Sequence, residues 1–102
     1  MIIKKQFLKN RPVCKVTFGL SGEMTNGAAA AHLVGDFNNW ARTATPMKQM
    51  KDGSFTVTID LEKGREYQFR YLINENQWEN AWNADRYVPT PFGDSENSVV
   101  IV

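Results

Sequence analysis

Cysteine and histidine are almost missing from this 102-residue chain: Cys14 and His32 are each alone in their type. One cysteine closes no internal disulfide, so nothing argues for an oxidising compartment. One histidine without further ligands of its kind makes no zinc-type set. A dominant charge is missing as well. Twelve Lys and Arg stand against eleven Asp and Glu, a formal net charge of +1, too little to gather nucleic acid or an anionic membrane. Long apolar runs are absent. The opening MIIKKQFLKNR offers only Met1-Ile2-Ile3 before its first lysine, less than a secretory signal needs and far from the roughly 20 residues of a spanning helix. Helix signals are scarce too: Ala28 to Ala31 is a short run after Asn26-Gly27, unable to hold as a helix by itself. A single cytoplasmic domain over residues 1–102, without membrane or nucleic-acid partners, is the expectation.

What the chain does have is alternation. In CKVTFGL, Cys14, Val16, Phe18 and Leu20 share one face; in FTVTIDL, Phe55, Val57, Ile59 and Leu61 do; in YQFRYLI, Tyr67, Phe69, Tyr71 and Ile73 oppose Gln68, Arg70 and Leu72. Period-two patterning marks half-buried strands. Turn signals separate the runs: Ser21-Gly22, Asn26-Gly27, Asp52-Gly53, Lys63-Gly64 and Asn74-Glu75-Asn76. The Asp-Gly pair reads as a tight hairpin. About seven strands are predicted, near 3–9, 13–20, 29–35, 45–50, 54–61, 65–74 and 97–102. Short strands with frequent turns give an all-β fold, a two-sheet antiparallel sandwich of immunoglobulin-like type. The least regular stretch is WENAWNADRYVPTPFGDSEN from Trp78 to Asn97, where Pro89 and Pro91 restrict strand pairing.

The tryptophans stand outside these alternating faces. Trp40 ends the turn-rich GDFNNW, while Trp78 and Trp82 open the irregular stretch, which also holds Tyr87 and Phe92. Each ring taken singly can cap the end of a small sandwich. Together, aromatics in turns and loops mark a binding surface. Their neighbours are neutral amides and hydroxyls, among them Asn38, Asn39, Asn76, Gln77, Asn80, Asn83, Ser95 and Asn97. A flat apolar face rimmed by neutral hydrogen-bonding groups suits a sugar ring, with its C–H face and hydroxyl perimeter. Asn39, next to Trp40, is an expected hydroxyl partner. Single-stranded nucleic acid also stacks on aromatics but needs a basic track.

The stretch HLVGDFNNWARTATPMKQMKDGSFTVTIDLEKGREYQFRYLINENQW resembles the glycogen- and starch-binding modules of carbohydrate-binding family 48. These occur at the N-terminus of isoamylases and glycogen-branching enzymes and in the beta subunit of AMP-activated protein kinase. The pattern is G-x-F-N-x-W, then D-G-x-F, the YQFRYLI strand and a later Trp, with ENSVVIV closing a resemblance from His32 to Val102. It implies an early-set immunoglobulin-like sandwich with a shallow site for alpha-1,4-glucan, such as glycogen, starch or maltooligosaccharides. It further implies that Trp40 and Trp78 are the stacking tryptophans and that Arg70 stands where kinase-type modules carry a glucose-bonding lysine. Asn97 matches an asparagine before the last strand, and Phe92 a leucine that pushes through the sugar spiral. ENAWNAD, with its additional Trp82, replaces a shorter turn, and Asp94 looks like an insertion.

Residues for catalysis are not assembled. Cys14 alternates in phase with Val16 and Phe18, which fits a buried thiol. Asp85, Asp94 and Glu96 share a loop but sit among turn formers. A glycoside-hydrolysing (β/α)8 barrel takes about 250 residues. The expectation is a non-catalytic alpha-glucan-binding module without metal or cofactor. The alternative is a protein-interaction domain of the same fold that docks a glycogen-metabolising enzyme.

Overall fold

The computed structural model describes residues 2–90 and 95–102. Along the chain run β1 (Ile2–Phe7), β2 (Val13–Leu20), a helical turn α1 (Gly22–Thr25), β3 (Ala31–Gly35), β4 (Lys48–Gln49), β5 (Phe55–Glu62), β6 (Glu66–Ile73), β7 (Gln77–Glu79), β8 (Arg86–Pro89) and β9 (Glu96–Ile101). One sheet has the order β1-β2-β5-β4; the other has β3-β6-β9-β8, with β7 also on β6. All pairings are antiparallel. The two sheets pack as an all-β, immunoglobulin-like sandwich.

Alternation explains the core. Cys14, Val16, Phe18 and Leu20 from β2 meet Tyr67, Phe69, Tyr71 and Ile73 from β6, all buried. Phe18 and Phe69 touch edge to face with centroids 5.1 Å apart, and Phe69 and Tyr71 do so at 5.7 Å, the arrangement aromatic quadrupoles favour. Burial pushes the Tyr71 phenol pKa far up.

Among the described residues there are nine strands, two more than alternation alone indicates. The additions, β7 and β8, span three and four residues, too few for a period to register. Pro89 sits on the edge strand β8, where a missing N–H is tolerated. The expected strand over 45–50 is divided between the sheets. Thr45 and Met47 bond backbone to backbone with Leu33 and Ala31 of β3, whereas Lys48 and Gln49 pair with β5. Helix α1 follows Ser21, whose Oγ accepts the Met24 N–H at 3.2 Å, an N-cap.

The outer face of the second sheet is not a plain solvated one. Val34, Leu72 and Val99 alternate out of phase with the inner faces, yet each is at most 2% exposed. They form a thin apolar layer outside the main core, beneath the side chains that this face presents.

Candidate functional site

GDFNNW is built residue by residue. Gly35 closes β3 where there is no room for a side chain: a Cβ would stand 2.5 Å from the Gln68 carbonyl oxygen and 2.8 Å from Phe69 Cβ. Phe37 turns inward between Phe18 and Tyr67, each with centroids 6.2 Å away. Asn38 ties the turn together. Its Oδ1 accepts the Gly35 N–H at 3.1 Å, and its Nδ2 donates to the Leu33 carbonyl at 2.9 Å and to Thr45 Oγ1 at 3.0 Å. Asn39 and Trp40 then both take left-handed backbone angles, φ 57° and 58°. Asparagine tolerates this conformation, but a bulky residue there is strained by about 1–2 kcal/mol. The Trp40 N–H is anchored on the Gly35 carbonyl at 2.9 Å, and its indole Nε1–H donates to Asp36 Oδ1 at 3.0 Å.

Strand β6 changes neighbours at the site. β9 pairs with Glu66 to Phe69 and β7 with Tyr71 to Ile73 on the same edge, so Arg70 lies at the handover. Its Nε donates to Asn97 Oδ1 at 2.8 Å and its Nη2 to the Glu96 carbonyl at 2.7 Å. Asn97 in turn donates to Gln68 Oε1 at 3.0 Å. Asn80 stitches the gap from the other side, donating to the Glu96 carbonyl at 2.7 Å and accepting the Ser98 N–H at 3.1 Å. The guanidinium fork and one amide replace the missing ladder.

These pieces surround one open cavity of about 350 Å³, lined by Trp40, Gln68, Arg70, Trp78, Thr90, Ser95 and Asn97. Three other hollows, of about 420 to 520 Å³, have no tryptophan in their walls. Four of the residues singled out from the sequence, Trp40, Arg70, Trp78 and Asn97, thus come together from a turn and three strands. Asn39 does not line the cavity: it is exposed, and its role in the fold is to carry the left-handed turn. Phe92 lies outside the described residues, between Thr90 and Ser95, whose backbones bond at 3.0 Å. Trp82 is 72% exposed and is not in the lining.

Residues 24–88, well over half of the chain, match carbohydrate-binding module 48, the isoamylase N-terminal domain. The chain belongs to this family. The match takes in Trp40, Arg70 and Trp78 and stops before Asn97. Family 48 modules are of a carbohydrate-binding, non-catalytic type. No curated protein matches the sequence closely enough to count as a relative.

Three contributors to this family 48 module escaped the sequence reading. Gln68 lines the cavity beside Arg70, and their shared parity in YQFRYLI was the available signal. Asp36 supports Trp40, and Arg42 sets its guanidinium carbon 5.5 Å from the centroid of the Trp78 ring. Nothing in composition distinguishes either from an ordinary surface charge. The lone residues have bland settings. Cys14 is fully buried, and His32 is half-buried opposite Pro46. Among the described residues no three His, Cys, Asp or Glu side chains converge, and no helix is long and apolar enough to cross a membrane.

Proposed function

We propose that the cavity binds alpha-1,4-linked glucan, with glucose rings stacked on Trp40 and Trp78 and hydroxyls bonded by Arg70, Asn97 and Gln68. The observation that carries this reading is the convergence of two half-buried indoles with neutral amide and hydroxyl groups on one open wall. Indole faces supply apolar contact to the C–H side of a sugar, and the amides supply directional bonds to its rim. Arg70 is already ordered by Asn97 and the Glu96 carbonyl, so little further entropy is lost when it donates to a hydroxyl. Phe92 remains a candidate contact because Thr90 and Ser95, two and three positions from it in the sequence, line the cavity. Asn39 is assigned to the turn.

The platform is open, so affinity for a short maltooligosaccharide is weak, on the order of 10 μM to 1 mM. The purified chain is expected to be retarded in a native gel containing glycogen or amylose, to keep that retardation in chelator, and to release no reducing sugar. Unchanged mobility in both gels, together with no change in tryptophan fluorescence on adding maltoheptaose, overturns the reading. Docking on an enzyme of glycogen metabolism then becomes the account of the aromatic face.

A further inference from the structure

Strand β3 stops pairing with β6 at Gly35, opposite Phe69. One residue further, the same register would set Asp36 opposite Gln68. The main chain turns away there, and the Asp36 carboxylate reaches back in place of a ladder carbonyl: its Oδ2 accepts the Gln68 N–H at 2.7 Å. The other oxygen, Oδ1, accepts the Trp40 indole N–H at 3.0 Å. Among the described residues Asp36 makes no ion pair, so these two N–H groups are what hold its charge in place. Hydrogen bonds to an ionised acceptor are roughly twice as strong as neutral ones.

The indole needs such a tether because its backbone is not a relaxed seat. Trp40 has φ 58°, directly after Asn39 at 57°. A bulky residue persists in the left-handed region only where its surroundings over-determine it. The bond from the Trp40 backbone N–H to the Gly35 carbonyl, 2.9 Å, fixes the main chain but leaves the side-chain torsions free. The bond to Asp36 restrains the ring. Trp40 is half-buried and lines the cavity. A ring free to turn about its side-chain bonds would lose entropy each time a ligand ordered it. The two oxygens matter as much as the charge. An amide of the same shape has one oxygen and one NH₂, so it satisfies one N–H donor and sets a donor against the other.

We propose that Asp36 is a positioning residue for glucan binding: as an ionised, two-oxygen acceptor it latches the Trp40 indole to β6 where the ring lines the cavity. The inference rests on the glucan-binding reading of that cavity. Asp36 is exposed and is not part of the cavity wall; it acts through Trp40. The latch orders the ring before a ligand arrives, so its loss weakens binding without removing any group that faces the sugar.

The test follows the Trp40 indole N–H by NMR on isotope-labelled protein, its resonance assigned by loss in Trp40→Phe, and measures maltoheptaose affinity by calorimetry. In the parent this N–H is expected to exchange with solvent several-fold more slowly than that of N-acetyltryptophanamide. In Asp36→Asn, and more so in Asp36→Ala, the resonance is expected to shift and its exchange to speed up, while the Trp82 indole resonance stays in place. Affinity is expected to fall about two- to tenfold, the range for ordering one side chain on binding. Unmoved amide resonances of Phe18 and Phe69 show that the core is intact. A parent whose Trp40 N–H exchanges as fast as the free indole overturns the inference with no variant needed. Parental affinity in Asp36→Ala with a freed indole overturns it, as does weakened binding with the indole N–H still protected. These results leave glucan binding by the parent intact, whereas a parent that does not bind maltoheptaose overturns both readings.

Discussion

The Asp36 carboxylate bridges a turn and a strand: one oxygen takes the Trp40 indole N–H at 3.0 Å and the other takes the Gln68 backbone N–H at 2.7 Å. This links a ring presented by the turn to the strand that carries Gln68 and Arg70. The bridge exists because the turn lies almost against β6. Gly35 makes that approach possible, since its missing side chain is what lets the Gln68 carbonyl and Phe69 come close.

Gly35→Ala is therefore expected to be costly in two ways. The added methyl meets backbone as well as side chain, so β3 and β6 have to part, which costs about 1–3 kcal/mol of stability. Parting them also lengthens the Asp36 bond to Gln68 and releases Trp40 from its aim. Urea denaturation and glycogen retardation, measured on the same preparation, check both halves. A variant with parental stability refutes the account of the close approach.

Trp40 and Phe55 separate presentation from packing. Trp40 is half-buried at the end of a strained turn, and Phe55 is 1% exposed in the core. Trp40→Ala is expected to weaken glucan binding at least tenfold, about 1.4 kcal/mol, with little change in melting temperature. Phe55→Ala is expected to lose about 3–5 kcal/mol of stability yet to bind like the parent at temperatures where it stays folded. A Trp40 variant that unfolds, or one that still binds glycogen normally, removes that ring from the proposed platform.

The sandwich was legible because its strands pay the same alternation on both sheets: β2, β5 and β6 each run eight residues, long enough for a period of two to show. β7 and β8 were not, because three or four residues in a proline-bearing, polar stretch carry no period. The pairing of Trp40 with Trp78 was readable only through the family pattern. Gln68 shares the parity of Arg70 but was missed, because parity has no functional meaning until this face of β6 is known to overlook a cavity. Asp36 and Arg42 were illegible for another reason. Each acts through a contact fixed by the path of the loop, and sequence spacing does not encode that path. Leu72 carried a faint hint: an apolar residue out of phase in YQFRYLI marks the buried layer beneath the site.

Asp85 gives the fold an acid-sensitive strap. Its Oδ2 takes the Ile101 backbone N–H at 2.7 Å and the Lys5 ammonium at 2.6 Å, tying edge strand β1 of one sheet to β9 of the other. Partial burial works to raise the carboxyl pKa, but the Ile101 N–H and the Lys5 charge together outweigh it, leaving the pKa below its ordinary value. A carboxylate lowered on folding contributes stability that is fully present above the unfolded pKa, about 3.9, and is lost as pH falls through the folded one. Asp85→Asn is expected to be less stable than the parent at pH 7 by about 1 kcal/mol, allowing for the partial exposure of the pair. The gap should begin to close near pH 4 and continue closing below it, as the parent's own carboxylate takes up a proton. Asp52 is lowered too, by the Ser54 hydroxyl first and then by the Ser54 N–H, but it titrates in both proteins and cancels in the difference. Melting curves of the two proteins between pH 7 and pH 2.5 measure the gap directly. A difference that stays constant across that range shows that Asp85 contributes through shape alone and not through its charge.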